Sequence, residues 1–366
     1  MKITSCKTNH IVNPLGFWMD EATVSWITEE TISKDQTAAQ VVVARDADFS
    51  EVIFDSGRSE NLSSLAFELP IDLQPRTRYY WTVKVWGDSG DEAISAVNWF
   101  ETGKRGEPWQ ASWITPAWND NTIRPVLRKR FAPAGEIVAA RAYITGLGIY
   151  ELEINGRRIG EERLTPCCNS YDAWVQYQTY DVTGALVNGQ NAIGVRLADG
   201  WAKSQFGTFG DLNSPYVDRY LLLCELRITL TDGSEQVIVS DSSWKCSKSP
   251  ILDDSIYHGE IYDANLEIPG WSTAGLDDRA WDSVAVTEPV GLGRVTDRLS
   301  LPVLIKETIK PVQLLHTPAG ELVLDMGQNM VGWLRIRIRE PKGVKIRIQH
   351  GEVLQDDNFY RDNLRN

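Results

Sequence analysis

The sequence is poor in the residues that build disulfide frameworks and metal centres. Its 366 residues include five cysteines and four histidines. An odd cysteine count without regular spacing or a Cys-x-x-Cys pair does not indicate a disulfide framework. Cys167 and Cys168 are adjacent, and neighbouring cysteines seldom bridge each other because the geometry is strained. We therefore expect reduced thiols in a cytoplasmic protein, unless a secretion signal has been removed. The histidines are far apart, and no His-Glu-x-x-His motif occurs.

Positive charge and long apolar runs are also scarce. The chain has 37 lysines and arginines against 50 acidic residues, a formal net charge of −13. Nucleic acids and anionic membranes attract basic surfaces, so neither is an expected partner. No apolar run approaches the roughly 20 residues that cross a bilayer. The first ten residues, MKITSCKTNH, lack the apolar segment of a signal peptide.

Aromatic residues, in contrast, are abundant. The chain is 42% hydrophobic and contains 14 tryptophans. Clusters of tryptophan suit β-sandwich cores and sugar-stacking surfaces equally well. The length is sufficient for two or three domains.

Period-two alternation dominates the first hundred residues. In YYWTVKVW, residues 79–86, Tyr79, Trp81, Val83 and Val85 share one face of a predicted strand. Further strands are predicted at 23–27, 40–44 and 98–101, separated by turn signals rich in Gly, Pro, Asp and Ser. Short strands without helical periodicity favour a β-sandwich, which we place at residues 1–104.

The same pattern continues through the rest of the chain. Asn155-Gly156 lies between alternating runs and is the strongest short signal for a hairpin. Strands are predicted at 191–198 and, with a following turn, at 218–234. The sequence thus predicts an all-β protein of tandem sandwiches: a first unit at 1–104, a larger unit at 105–300, and the start of a third at 301–366.

A basic hairpin is predicted near the C-terminus. Leu334, Ile336 and Ile338 alternate with arginines, and a second alternating run follows the turn at 341–343. The apolar face of such strands needs a partner layer. Only twelve residues follow Leu354, so we expect that this layer belongs to a longer protein. The basic face is interpreted as solvated, or as paired with acids of that layer, rather than as a nucleic-acid patch.

Several strings resemble bacterial α-L-rhamnosidases, glycoside hydrolases that remove terminal rhamnose. DMGQNMVGW at 325–333, the basic hairpin, GEVL and RDNLR resemble the region that precedes their catalytic domain. The strand pair around 79–86 and FETG at 100–103 resemble a fibronectin type III domain, which opens many of these enzymes. IYHGEIYDANLEIPGW at 256–271 resembles a string of their jelly-roll N-terminal domain, itself similar to carbohydrate-binding modules. There Asn265 stands where the family usually has arginine.

The resemblance also implies where catalysis occurs. Both catalytic acids of these enzymes lie on an (α/α)6 barrel, which would need about 300 further residues of helical repeats. No helical period of that extent is present, so we assign no catalytic residue. The expected partners are a rhamnose-containing glycan or glycoside and this C-terminal catalytic barrel.

The loop that follows the 191–198 strand is the best candidate for sugar binding. Trp201 or Phe206 would supply a stacking face, while Asp199 and Asn213 would bind hydroxyl groups. The oxygen ligands of a Ca²⁺ ion could come from Asp199, Asp211, Asn213 and Asp218. The alternative is a structural loop in which Trp201 caps the core and the aspartates are solvated.

A second candidate lies at residues 258–263. Glu260 and Asp263 would face the mouth of the full enzyme's active site and contact the glycan. The alternative is a structural turn in which Asp263 caps backbone amides and Tyr262 fills the core.

Three functions therefore remain open from the sequence. The first is the structural or accessory N-terminal portion of an α-L-rhamnosidase, inactive when isolated. The second is a carbohydrate-binding module with weak rhamnose affinity of its own. The third is a fibronectin-like adhesion protein, which would be expected to carry a secretion signal and repeated units.

Overall fold

The computed structural model describes residues 1–203 and 216–364. Within these ranges the chain forms 28 strands and two 3-10 helices, Thr183–Ala185 and Ala264–Leu266, and no α-helix. The predicted all-β class is confirmed. None of the helices found there is long and apolar enough to cross a membrane.

The first unit is a sandwich of two small sheets. Its strands are β1 (Lys2–Thr8), β2 (Leu15–Phe17), β3 (Thr23–Glu29), β4 (Gln36–Ala44), β5 (Val52–Asp55), β6 (Phe67–Glu68), β7 (Arg78–Gly87), β8 (Glu92–Ile94) and β9 (Asn98–Thr102). One sheet has the order β1-β3-β6 and the other β2-β9-β7-β4-β5, with β8 beside β7. The predicted face of β7 is buried, because Tyr79, Trp81, Val83 and Val85 all lie in the core between the sheets.

The second unit is built on one long, folded sheet. Its strands are β10 (Ile114–Pro116), β11 (Pro125–Phe131), β12 (Ile137–Leu147), β13 (Ile149–Ile154), β14 (Arg157–Arg158), β15 (Trp174–Gln176), β16 (Gln178–Asp181), β17 (Asn191–Ala198), β18 (Leu221–Leu230), β19 (Glu235–Val239), β20 (Lys245–Lys248), β21 (Ile251–Ser255), β22 (Gly259–Tyr262), β23 (Asp282–Val286) and β24 (Arg294–Thr296). The sheet runs β14-β13-β17-β11-β20-β23-β10-β18-β12-β16, with β19 beside β18. Its two halves enclose the largest core cluster.

The predicted hairpin turn in this unit is present. Asn155 and Gly156 both have positive φ angles, 53° and 78°, as a two-residue turn of this type requires. The turn joins β13 to β14, with Ile154 opposite Arg157.

The outer face of the β13–β17–β11 half is covered by the segment 263–281. Gly194 on β17 lies beneath Trp271, and a Cβ atom at Gly194 would come within 2.5 Å of that ring. Arg128 on β11 is completely buried beneath the same segment. It donates to the Asp278 carboxylate and, over 2.6 Å, to the Thr273 carbonyl oxygen. The segment is therefore fixed on the sheet by a buried ion pair as well as by tryptophan packing.

The last region, as far as residue 364, contains two short strand pairs. Its strands are β25 (Gln313–His316), β26 (Leu322–Asp325), β27 (Val353–Gln355) and β28 (Asn358–Tyr360). The turn expected at 341–343 is present, because the Val344 amide donates to the Pro341 carbonyl oxygen over 3.3 Å. No strand is assigned on either side of it at 329–349, so the predicted hairpin ladder does not form there. Its apolar side chains, such as Ile336 and Ile346, are exposed. Without a second layer to cover them, pairing of the two strands would not remove their apolar surface from water.

Candidate functional site

The Asp199 carboxylate lies at the end of β17 and is held by three donors. Arg124 Nη2 and Lys203 Nζ each lie 3.1 Å from it, and the Tyr220 hydroxyl donates over 2.5 Å. A carboxylate with these partners has little remaining capacity to accept from a sugar. The geometry of Asp199 therefore favours a structural role at the base of the loop.

Arg124 is the centre of this arrangement. Its buried guanidinium donates to Asp254 over 2.7 Å and to Asp253 over 2.8 Å, in addition to Asp199. Burial raises the pKa of Asp254, while the bond from Arg124 opposes that shift. Asp199 directly follows β17 and the other two acids lie on β21, so one cation joins two separate segments. Sequence reasoning missed Arg124, because its partners are more than seventy positions away.

The remaining residues of the predicted loop are divided between core and surface. Trp201 is half-buried and packs against the cluster that contains Trp113 and Leu221. Asp218 is exposed and pairs with its neighbour Arg219 over 2.9 Å. Phe206, Asp211 and Asn213 lie outside the described residues.

No calcium ligand set is assembled in the part of the chain that the structure describes. Residues 1–203 and 216–364 contain no group of three or more acidic, His or Cys side chains arranged to hold a metal. Asp199 is engaged by cations, which compete with any metal for its oxygens. The calcium site stays a prediction that depends on Asp211 and Asn213.

The second candidate forms a two-stranded hairpin, β21–β22. Glu260 is opposite Asp254 and is exposed, yet the nearby protein surface partly desolvates its carboxyl and raises its pKa, with Asp254 adding to the effect. Asp263 caps the 3-10 helix that follows, accepting from the Asn265 amide over 2.9 Å, as the structural alternative predicted. The Asn265 side chain also donates to Asp263, over 2.7 Å.

Tyr262 differs from the structural alternative, in which it would fill the core. Its side chain is exposed, and its hydroxyl donates to Glu267 Oε1 over 2.6 Å. Among the described residues, the strand that carries Tyr262 pairs only with β21, and the ring is 43% exposed.

Arg196 is an uncommitted donor beside this hairpin. It lies two residues after Gly194 on the outer face of β17, with its guanidinium carbon 5.5 Å from the centre of the Trp271 ring. Its Nε atom is buried and has no hydrogen-bond partner within the described residues. Burial raises the pKa values of Glu260 and Tyr262, and the charge of Arg196 opposes this rise, which indicates that the three groups lie near one another. An exposed tyrosine, a carboxylate and a guanidinium are the group types that bind saccharides.

Family models match three successive parts of the chain. Residues 3–106 match "Rha78A-like, N-terminal immunoglobulin domain", residues 135–307 match "Alpha-L-rhamnosidase N-terminal domain", and residues 315–366 match "Bacterial alpha-L-rhamnosidase concanavalin-like domain". A protein from Formosa agariphila named α-L-rhamnosidase is 33% identical over 378 residues, covering 96% of this chain. The chain belongs to the α-L-rhamnosidase family. The first unit is matched as an immunoglobulin domain, and the fibronectin type III assignment stays a prediction.

Solved structures of α-L-rhamnosidases have the same fold over almost the whole chain. The enzyme from Aspergillus terreus is 33% identical, with a TM-score of 0.88 over 98% of this chain. The enzyme from Streptomyces avermitilis, solved in complex with L-rhamnose, is 25% identical, with a TM-score of 0.87 over 98%. The chain spans 40% of the Formosa protein, 42% of the Aspergillus chain and 52% of the Streptomyces chain.

Proposed function

We propose that the chain is the non-catalytic N-terminal portion of an α-L-rhamnosidase that hydrolyses terminal α-L-rhamnosyl bonds. The observation that carries this proposal is the match of nearly the whole chain to proteins named α-L-rhamnosidase, whose own length is about twice as great or more. The chain's part would be accessory: it presents a rigid surface against which the catalytic region is oriented.

The exposed apolar residues after position 308 support this role. Trp333, Ile336 and Ile346 are each about half exposed, in contrast to the buried faces of β7 and β18. Contiguous exposed apolar surface is characteristic of an interface with another folded part. We infer that these residues are covered by the remainder of a third sandwich and by the catalytic barrel.

The isolated chain is expected to be inactive. Glycoside hydrolysis commonly uses two carboxylates about 6.5–9.5 Å apart for inversion, with one held as an acid. Two of the candidate acids have structural partners instead, because Asp199 is held by Arg124, Lys203 and Tyr220, and Asp263 caps a helix.

An assay on p-nitrophenyl α-L-rhamnoside tests this proposal. The 366-residue chain should give no turnover, while a version extended along its reading frame beyond Asn366 should be active. Activity that scales with the concentration of the short chain and persists after repeated purification would disprove the accessory role. A reading frame that stops at Asn366 would also contradict it.

The second candidate, a carbohydrate-binding module, is favoured by the patch of Arg196, Glu260 and Tyr262. Affinity for L-rhamnose would be weak, in the millimolar range, because few hydrogen bonds leave little surplus after ordering costs. NMR titration with L-rhamnose, with and without calcium, should shift resonances of this patch or of the loop after Asp199. Tyr262→Ala should abolish the shifts at the patch, whereas Tyr80→Ala, at a half-buried tyrosine on β7 of the first unit, should leave them unchanged. Unchanged resonances at tens of millimolar sugar would exclude this candidate.

A further inference from the structure

The chain contains two Asn-Gly pairs, and the structure places them in different settings. Asn155-Gly156 forms the hairpin turn between β13 and β14, and Asn188-Gly189 lies in an exposed turn shortly before β17. Asparagine is one of the thermolabile residues, and a following glycine has no Cβ atom to keep its nitrogen away from the asparagine side chain. The two pairs are identical in sequence, so any difference in their reactivity must come from the fold.

The reaction open to such a pair is deamidation. The backbone nitrogen of the glycine attacks Cγ of the asparagine, the bond from Cγ to Nδ2 breaks, and Nδ2 leaves as ammonia with the proton of the glycine amide. One water molecule then opens the resulting cyclic succinimide at either of its carbonyl groups, which gives aspartate or isoaspartate. Water is the co-reactant of the whole sequence. The rate therefore depends on whether the asparagine side chain is free to meet the glycine nitrogen and to release its amide.

Hydrogen bonds hold both ends of the Asn155 side-chain amide. Its Nδ2 donates to the Ala185 carbonyl oxygen over 3.0 Å and to Asn191 Oδ1 over 2.7 Å. Its Oδ1 accepts from the Ala192 amide over 3.0 Å. Asn191 is completely buried, so this partner is itself fixed within the fold. Attack on Cγ of Asn155 requires the loss of these three bonds, each of which contributes to stability.

The side chain of Asn188 is exposed and has fewer restraints. In the described part of the chain, its one hydrogen bond is that from the Ile137 amide to its Oδ1, over 3.3 Å. This bond withdraws electron density from the carbonyl group and makes Cγ more reactive, while Nδ2 is free to leave. The Gly189 amide donates to the Val187 carbonyl oxygen over 2.8 Å, a single bond of a three-residue turn that must open before attack.

We propose that Asn188 is a site of spontaneous deamidation and that the fold protects Asn155 from the same reaction. The product at position 188 adds a negative charge, and isoaspartate there lengthens the backbone between Val187 and Gly189. The carbonyl oxygens of both these residues accept from Asn191 Nδ2 over 2.8 Å. The modification therefore alters the turn that Asn191 holds in place. The proposal does not depend on whether the protein acts on rhamnosides.

Mass-spectrometric peptide mapping of the 366-residue chain, incubated at mildly alkaline pH in heavy-oxygen water, tests the proposal. Each deamidation incorporates one oxygen from the solvent, so the heavy isotope distinguishes new events from aspartate that was already present. The peptide with Asn188 should convert at least about tenfold faster than the peptide with Asn155, because three hydrogen bonds protect the latter. In denaturant, where both pairs lose their structure, the two rates should become similar.

A substitution at the attacking residue tests the chemistry without disturbing the fold. Gly189→Ala should slow the conversion of Asn188 several-fold, because the added methyl group hinders the approach of the backbone nitrogen. A Cβ atom at Gly189 would have no neighbour within 4 Å among the described residues, so the turn has room for it. Gly184→Ala is the matched control, since position 184 is equally open, and it should leave the conversion of Asn188 unchanged.

Two results would overturn the proposal. The first is conversion of Asn155 at least as fast as that of Asn188 in the folded chain. The second is an Asn188 peptide that stays unmodified in the folded chain over a period in which both peptides convert in denaturant.

Discussion

Two stretches of this protein share the same alternating pattern, but the apolar face of one is buried and that of the other is exposed. In β7, Trp81 and its neighbours on one face are fully buried, and the strand pairs with β4 on one side and with β8 and β9 on the other. In the run after the 341–343 turn, Ile346 is 49% exposed, and no ladder is assigned. Both runs place an apolar residue at every second position.

The difference shows that alternation specifies a face but not its partner. A strand is stabilised when its apolar face is buried against a second layer and its backbone groups are paired. The first unit supplies both within about one hundred residues, since β1, β3 and β6 cover β7. The described part of the last region supplies neither a second layer nor strand partners for residues 329–349.

Trp81→Ala should produce the largest effect. The substitution leaves a cavity in the core and removes the bond from Trp81 Nε1 to Thr8 Oγ1, so we expect a loss of about 3–5 kcal/mol in the free energy of unfolding. Trp333→Ala is the matched control, because Trp333 is 53% exposed, and should change it by less than about 0.5 kcal/mol. Urea denaturation measures both. Equal effects at the two positions would remove the basis of the comparison.

Glu225→Gln should come next. Glu225 is completely buried on β18 and accepts from Lys104 Nζ over 2.8 Å, from Arg227 and from the Gln110 amide. Removing its charge leaves two buried cations without this counterion, at an expected cost of about 3 kcal/mol. Asp277→Asn, which breaks an exposed pair with Arg279, should leave the stability close to that of the parent, because solvent screens exposed ion pairs. A loss of stability in Glu225→Gln as small as that in Asp277→Asn would show that the contact between the first and second units is not rigid.

The pH dependence of stability where the first and second units meet should follow the protonation of Asp297. Burial raises the pKa of this carboxyl from 3.8 to about 6, while the Arg105 amide opposes the shift. The folded state therefore binds the proton more tightly, and this stabilisation is full below pH 3.8 and is lost as the pH rises through about 6. Asp297→Asn cannot titrate, so its melting temperature relative to the parent should increase across that window. A constant difference between pH 4 and pH 7 would contradict the assignment.

Substitutions of exposed apolar residues within 329–349 should have the smallest effect on stability. Replacing Ile336 and Ile346 together by Thr should alter the free energy of unfolding by less than about 0.5 kcal/mol, because neither side chain is buried. The same change should reduce binding of a fluorescent hydrophobic dye, since it removes exposed apolar surface. A large loss of stability would mean that these residues are packed in solution.

Local features of the fold were predictable because their causes are local. Asn155 and Gly156 adopt positive φ angles that few other residue pairs tolerate, so the turn could be predicted from these two residues alone. The buried face of β7 likewise follows from alternation. Asp263 acts as a cap, as its position before a short helix suggests.

Long-range pairing was not predictable from one sequence. Arg76 meets Glu235 across 159 positions, and Arg128 meets Asp278 across 150. Nothing in their spacing indicates these contacts, since many acids are available. The setting of Asp199 was not predictable for the same reason, because one of its cations, Arg124, lies 75 positions away, just before β11. Arg196 could have been suspected only from its place beside Gly194, where a bulky neighbour covers the strand.

The short connector between the first two units limits how these proteins can be recombined. Lys104 in that connector is buried against Glu225, its backbone amide donates to Tyr177, and the hydroxyl of Tyr177 donates to Asp297. A Cβ atom at Gly103 would collide with the Asp297 carboxylate. The first unit therefore cannot be exchanged between relatives as an independent cassette at residue 104. A functional chimera must therefore take the residues that meet where the two units join from the same parent. These are Lys104, Tyr177, Glu225 and Asp297.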